Sequence, residues 1–200
     1  MSSGAREVQS FFQPLRGKTA TFVLEGRQAN LVFARTIIGL LAHENEGCAI
    51  LDLDAFYSSS SLAIFSHLAP AEAQATTIRV PEPGSDVEEE LSRIFAARQS
   101  VMIIDSLNSL YHLISREDGK SRSRKLSFAV AGLSYFARTN GKAVILTMYR
   151  RERLARSGTT RSISNLSDLT ASVDVSEREL TAKSDRGLAW PGGKFSIRIP

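Results

Sequence analysis

Two kinds of apolar pattern alternate along this chain. Short unbroken runs suit strands buried on both faces, and apolar residues spaced three and four apart suit amphipathic helices. Thr19 to Leu24 reads as a first strand ending at Glu25-Gly26. Leu31, Ala34, Ile37, Ile38 and Leu41 then mark a helix that Asn45-Glu46-Gly47 stops. Ala49-Ile50-Leu51 is a second strand running into Asp52-Leu53-Asp54, and Ser58 to Ser61 can cap a helix through Ala69. Thr77 to Val80 is a third strand. Ser85, with Glu88 three residues on, has the pattern of a capping box opening a helix to about Arg98. Val101 to Ile104, the run around which the chain is organised, ends in Asp105-Ser106.

Leu107 to Ile114 can form a helical turn or two, and residues 115–124 read as an exposed charged loop. Leu126, Ala129, Val130, Leu133, Phe136 and Ala137 mark a long helix stopped at Asn140-Gly141, and Ala143 to Thr147 is a fifth strand. Residues 150–167 are basic, rich in Ser and Thr and without apolar period, which predicts a mobile loop. Val173 and Val175 alternate as in a strand. Leu188 to Trp190 and Phe195 to Ile199, around Pro191-Gly192-Gly193, read as a closing hairpin with Trp190 as an edge-strand anchor or interface residue. The order predicts an α/β fold: a parallel sheet flanked by helices, with a C-terminal antiparallel β extension. Residues 1–16 read as an N-terminal arm docked by Phe11 and Phe12, and 17–200 as a single core domain.

Composition narrows the function classes. The chain has 200 residues, 42% of them hydrophobic, and no apolar run near the roughly 20 residues that span a bilayer, so no membrane role is expected. The single Cys48 forms no internal disulfide and reads as a small buried residue. His43, His67 and His112 lack metal-ligand spacing, and there is no Gly-x-Ser-x-Gly elbow, so no catalytic, metal or cofactor role is assigned. The net charge of +4 is modest, but its distribution is not even. Arg116, Lys120, Arg122, Arg124 and Lys125 form one cluster, and Arg150, Arg151, Arg153, Arg156 and Arg161 a second.

An apolar strand ending in Asp105 is the setting in which a nucleoside-triphosphatase holds its magnesium water shell. The first strand should then feed a glycine-rich loop, with a Lys on the outer phosphates. Here Glu25-Gly26-Arg27-Gln28-Ala29-Asn30-Leu31 offers one Gly, no Lys and no Ser or Thr, and Arg27 comes too early to replace the Lys. Gly17-Lys18-Thr19 precedes the strand, with Phe12 where a Gly is required. Gly119-Lys120-Ser121 has Ile114 at that place. Neither meets the G-x-x-x-x-G-K-[ST] spacing in its strand–loop–helix setting. No efficient ATP hydrolysis is expected.

These segments, in this order, resemble the RecA-like recombinase core, especially its RadA branch and the KaiC-like proteins, over roughly residues 17–199. Val101-Met-Ile-Ile-Asp105-Ser106-Leu107 matches the family's second phosphate-site strand. Leu51-Asp52-Leu53-Asp54-Ala55-Phe56 is similar to the strand carrying its catalytic acidic residue, with Asp54 in place of the usual Glu. Ala143-Val-Ile-Leu-Thr147 is similar to the strand entering its second DNA-binding loop, though Met148-Tyr149 replaces the family's Asn-Gln. Gly26, Arg27, Asp54, Asp105 and Ser106 would be a vestigial nucleotide site. The resemblance implies that the two basic clusters face single-stranded DNA, with Tyr149 available to stack on a base. It further implies a homo- or hetero-oligomer with RecA-family proteins, assisting recombination or repair. The location would be cytoplasmic or nucleoid-associated in a prokaryote and nuclear in a eukaryote. Two other readings stay open: a subunit of a hetero-oligomeric ring resembling the Elongator accessory proteins, with tRNA as ligand, and a weak ATPase using Arg27, Asp54 and Asp105.

Overall fold

Apolar runs buried on both faces need a sheet with helices on either side, and the computed structural model has that architecture. It describes residues 11–82, 84–114, 119–150, 166–176, 179–187, 190 and 193–198, leaving aside the side chains of residues 27, 119–123 and 198. The strands are β1 (Thr19–Leu24), β2 (Cys48–Asp52), β3 (Thr77–Arg79), β4 (Val101–Asp105), β5 (Ala143–Tyr149), β6 (Leu169–Val175), β7 (Glu179–Arg186) and β8 (Lys194–Arg198). They form one sheet in the order β3-β2-β4-β5-β1-β6-β7-β8. The neighbours from β3 to β6 pair parallel, and β6-β7 and β7-β8 pair antiparallel. The carboxyl ends of six strands therefore share one edge of the sheet.

The helices are α1 (Gly26–His43), α2 (Phe56–Ser59), α3 (Ser61–Phe65), α4 (Pro70–Gln74), α5 (Val87–Phe95), α6 (Leu107–Leu113) and α7 (Gly119–Asn140). One face of the sheet packs on α1 and α3 through Phe33, Ile37 and Ile64. The other packs on α5, α6 and α7 through Leu91, Ile94, Leu107, Leu110 and Leu133. Every residue of β2 and of β4 is buried, as two covered faces require.

Phe11 and Phe12 are buried with the first face. Phe11 stacks on Trp190 with ring centres 5.6 Å apart and meets Phe195 edge-on at 4.7 Å. A 3-10 turn at Gln13–Leu15 carries the chain from there into β1.

Four expectations need correction. The helix expected from Ser58 to Ala69 is broken into α2 and α3. The hydroxyls of Ser58 and Ser59 bond back to the carbonyls of Ala55 and Phe56, the competition that makes serine a poor helix interior. The cap of α5 is Asp86, whose carboxylate accepts the Glu88 N–H at 2.9 Å, and the helix ends at Phe95. The expected loop 115–124 is already helical from Gly119, so Lys120, Arg122 and Arg124 stand on α7. The closing hairpin is β7 with β8, and Trp190 lies in their connection, turned into the core. The loop expected at 150–167 falls largely on residues 151–165, outside the described residues.

The edge strand β3 is tied to α5 through a buried carboxylate. Glu90 accepts from the Arg79 Nε and from Arg79 Nη2 at 3.0 Å, and from Arg93 Nη1 at 2.9 Å. The hydrogen bond from Arg79 holds the Glu90 carboxyl below its ordinary value, against the effect of burial. A depressed carboxyl stabilises the fold above its unfolded value and stops doing so as pH falls through the folded one. Glu90→Gln is therefore expected to flatten the acid limb of a stability–pH curve below about pH 4. Thermal melts at a series of acid pH values measure this.

Candidate functional site

In open α/β sheets ligands bind beyond the carboxyl ends of the strands. At that edge β1 passes into α1 through Glu25 alone. Gly26 opens the helix at φ +89°, a conformation a side chain would strain, although nothing lies within 4 Å of where its Cβ would be. Glu25 makes no capping hydrogen bond with its side chain.

Asp105 ends β4 with no exposed surface, and its peptide bond to Ser106 is cis. The Thr147 hydroxyl donates to Asp105 Oδ1, and so does the Tyr149 hydroxyl at 3.3 Å. Asn30, on the buried side of α1, donates its amide to the same Tyr149 oxygen. Asn108 of α6 accepts the Tyr149 backbone N–H at 2.8 Å and donates to its carbonyl at 3.3 Å, so that residue is gripped at both backbone and phenol. Asp105 Oδ2 and Asn30 Oδ1 are buried without a partner among the described residues. Burial pushes the Asp105 carboxyl up to about 6; the Thr147 hydrogen bond opposes this, and the charges of Asp54 and Asp52 add to it. Burial, then the Asp105 charge, raises the Tyr149 phenol, so it stays protonated and a donor.

The two other carboxylates here serve local geometry. Asp52 accepts the N–H groups of Phe56 at 2.7 Å and Ser58 at 2.8 Å, which fixes the turn into α2. Asp54 accepts the Ser106 hydroxyl at 2.7 Å and that of Ser109. Gly26, Asp54, Asn108, Ser109, Tyr149 and Arg150 line a cleft of about 480 Å³. Beside it Arg150 donates to Glu25 at 2.6 Å, both side chains being well exposed. That pair forms because β5 continues past Thr147 to pair Tyr149 with Leu24.

Gly26, Asp54, Asp105 and Ser106 thus meet at one strand edge, together with Tyr149 and Arg150. The Arg27 side chain lies outside the described residues. Arg124 and Lys125 are exposed on the first turns of α7. Arg116, Arg151, Arg153, Arg156 and Arg161 lie outside the described residues, as do the side chains of Lys120 and Arg122. Tyr149, read from the sequence as available to stack on a base, has its hydroxyl turned toward Asn30 and Asp105. Asn30, Thr147 and Asn108 join the site without a motif to announce them. Thr147 carries one signal, a polar residue inside an apolar run, whereas Asn30 and Asn108 stand among other polar residues and carry none. Among the described residues no group of His, Cys, Asp or Glu is arranged to hold a metal ion, and no helix is long and apolar enough to cross a membrane.

No protein-family profile and no curated protein matches the chain. Solved structures do. The RadB recombinase superposes with a TM-score of 0.68 at 13% identity, covering 100% of this chain and 96% of that one. A KaiC-like protein from the hyperthermophilic archaeon Pyrococcus horikoshii OT3 superposes with a TM-score of 0.60 at 16% identity, covering 86% of this chain and 80% of that one. The fold is RecA-like. At these identities the likeness extends to the fold alone.

Proposed function

We propose that this chain is a non-catalytic RecA-fold protein that binds DNA, preferably single-stranded, and assists recombination or repair. The observation that carries this is the seating of Tyr149. Its phenol lies between Asn30 and Asp105 at the strand edge where related folds seat phosphates. With one residue between β1 and α1, and no Lys to follow, positioning and charge stabilisation of a triphosphate both lack their usual donors. From the same edge the chain continues into Arg150, Arg151, Arg153, Arg156 and Arg161. Guanidinium-rich segments suit a phosphate backbone and read little sequence. The likeness to a RadB recombinase supports the same reading.

The test is a fluorescence-anisotropy titration with labelled single-stranded DNA, duplex DNA and RNA, with ATP binding followed in parallel. Single-stranded DNA is expected to bind most tightly and ATP not to bind. Reversing Arg150, Arg151 and Arg153 to Glu is expected to weaken binding at least tenfold. It should also flatten the log–log salt slope by about 0.7 for each phosphate no longer neutralised. Unchanged affinity would overturn the proposal. So would ATP turnover that Asp105→Ala abolishes.

A further inference from the structure

Arg150 leaves β5 from a fixed point. Its backbone N–H donates to the Leu24 carbonyl at 3.1 Å, and β1 pairs with β5 so that Tyr149 lies opposite Leu24. Asn108 holds Tyr149, just before it, by both backbone N–H and carbonyl. Glu25, the residue after Leu24, is therefore set beside Arg150 by register. The guanidinium Nη1 donates to Glu25 Oε1 at 2.6 Å. The segment proposed to meet phosphates thus begins with a cation that already holds an anion.

Glu25 has a nearer option that it does not take. It is the one residue between β1 and α1, and the only acidic residue from Thr19 to His43. A carboxylate ahead of a helix is stabilised by that helix's own N–H groups. The Glu25 side chain makes no such hydrogen bond and reaches across to Arg150. The Glu25 and Arg150 side chains are 65% and 61% exposed, so a ligand can reach both. Ion pairs this open to water are weak, which makes the pair exchangeable rather than structural. Arg150 also lines the cleft at the strand edge, together with Gly26 and Asp54. A phosphate arriving there meets a cation already matched, in a cleft that carries another carboxylate.

We infer that Glu25 is an internal competitor for the nucleic-acid backbone, occupying Arg150 until a phosphate of the bound strand displaces it. This rests on the nucleic-acid reading of the arginine segment and adds the residue that restrains it. In the exchange one charge-assisted hydrogen bond breaks, another forms, and the carboxylate is released to water. Arg150 therefore contributes less to affinity than an unpaired arginine at the same place. The freed carboxylate stays beside the strand and repels it, so part of the restraint persists after the exchange. Both effects fade with salt, as those of exposed charges do.

The test is a double-mutant cycle, read by fluorescence anisotropy with labelled single-stranded DNA at about 50 mM and about 200 mM salt. Glu25→Gln is expected to tighten binding about three- to tenfold at the lower salt, and less at the higher. Glu88→Gln makes the same change of charge at an exposed position on α5 and is expected to change affinity far less. In an Arg150→Gln background, Glu25→Gln is expected to lose most of its effect, because no pair remains to be broken. Thermal melts of wild type and Glu25→Gln are expected to coincide; a large drop would mark the pair as structural and overturn the inference. An equal gain in both backgrounds also overturns it, since Glu25 would then act only as a diffuse charge. So does an affinity of Glu25→Gln equal to wild type, which leaves the nucleic-acid reading standing where reversal of Arg150, Arg151 and Arg153 still weakens binding. Absence of binding by wild type and Glu25→Gln alike overturns both, whereas binding that emerges only in Glu25→Gln supports the restraint.

Discussion

Phe11→Ala is expected to cost about 3–5 kcal/mol of folding stability, the range for removing a buried aromatic ring. The side chain has no exposed surface. It stacks on Trp190 and lies 6.0 Å from Phe22, so its loss opens a cavity between the first strand and the β7–β8 connection. Against a total of roughly 5–15 kcal/mol, that is a large share. Leu62→Ala is the control, because Leu62 is 82% exposed and its truncation should stay within about 0.5 kcal/mol. Urea denaturation of both variants measures the difference. A Phe11→Ala midpoint no lower than that of Leu62→Ala would show that the first phenylalanines are merely laid on the surface.

Asp105→Asn should behave in the opposite way at neutral pH. The folded carboxyl titrates at about 6, above its ordinary value, because it is buried with one oxygen unpartnered. A raised carboxyl favours folding while protonated, so its contribution is full below the unfolded value near 4 and is lost as pH rises through 6. Above that, the ionised form burdens the fold. Asparagine does not ionise. Relative to wild type, Asp105→Asn is expected to gain roughly 3 kcal/mol in stability between pH 4 and pH 8, the equivalent of two pH units. Denaturant midpoints at the two pH values give the number. A difference independent of pH would mean that Asp105 is better solvated than its packing implies.

The sequence reveals the sheet where burial is two-sided and hides it where burial is one-sided. β2 and β4 stand out as unbroken apolar runs because helices cover both faces. β7 is written Glu-Leu-Thr-Ala-Lys-Ser-Asp-Arg, and only Leu180 and Ala182 face the core, too few to set an alternation apart from a loop. The start of α7 is hidden for a related reason, since residues 119–125 contain no apolar residue to establish a period.

At the strand edge, Asp105 is legible as a carboxylate closing an apolar run. The group that holds it is not. Thr147 looks like an ordinary polar interruption, and only the pairing of β5 with β4 sets it on Asp105, while the pairing of β5 with β1 brings Asn30 to the Tyr149 hydroxyl. Tyr149 is conspicuous beside the basic segment, but its direction is not readable, because two further residues of β5 carry it inward rather than into a loop.

The union of Phe11 with Trp190 has a consequence during synthesis. The indole N–H donates to the Phe11 carbonyl across 179 positions of chain. At ordinary elongation speeds the earlier residue waits roughly ten to forty seconds for the later one. Through that interval β1, which ends up paired with both β5 and β6, has neither neighbour until each is made. A nascent chain of this design emerges with its future middle bare, and its dependence on a chaperone at the ribosome should exceed that of a protein whose sheet grows outward from its first strand.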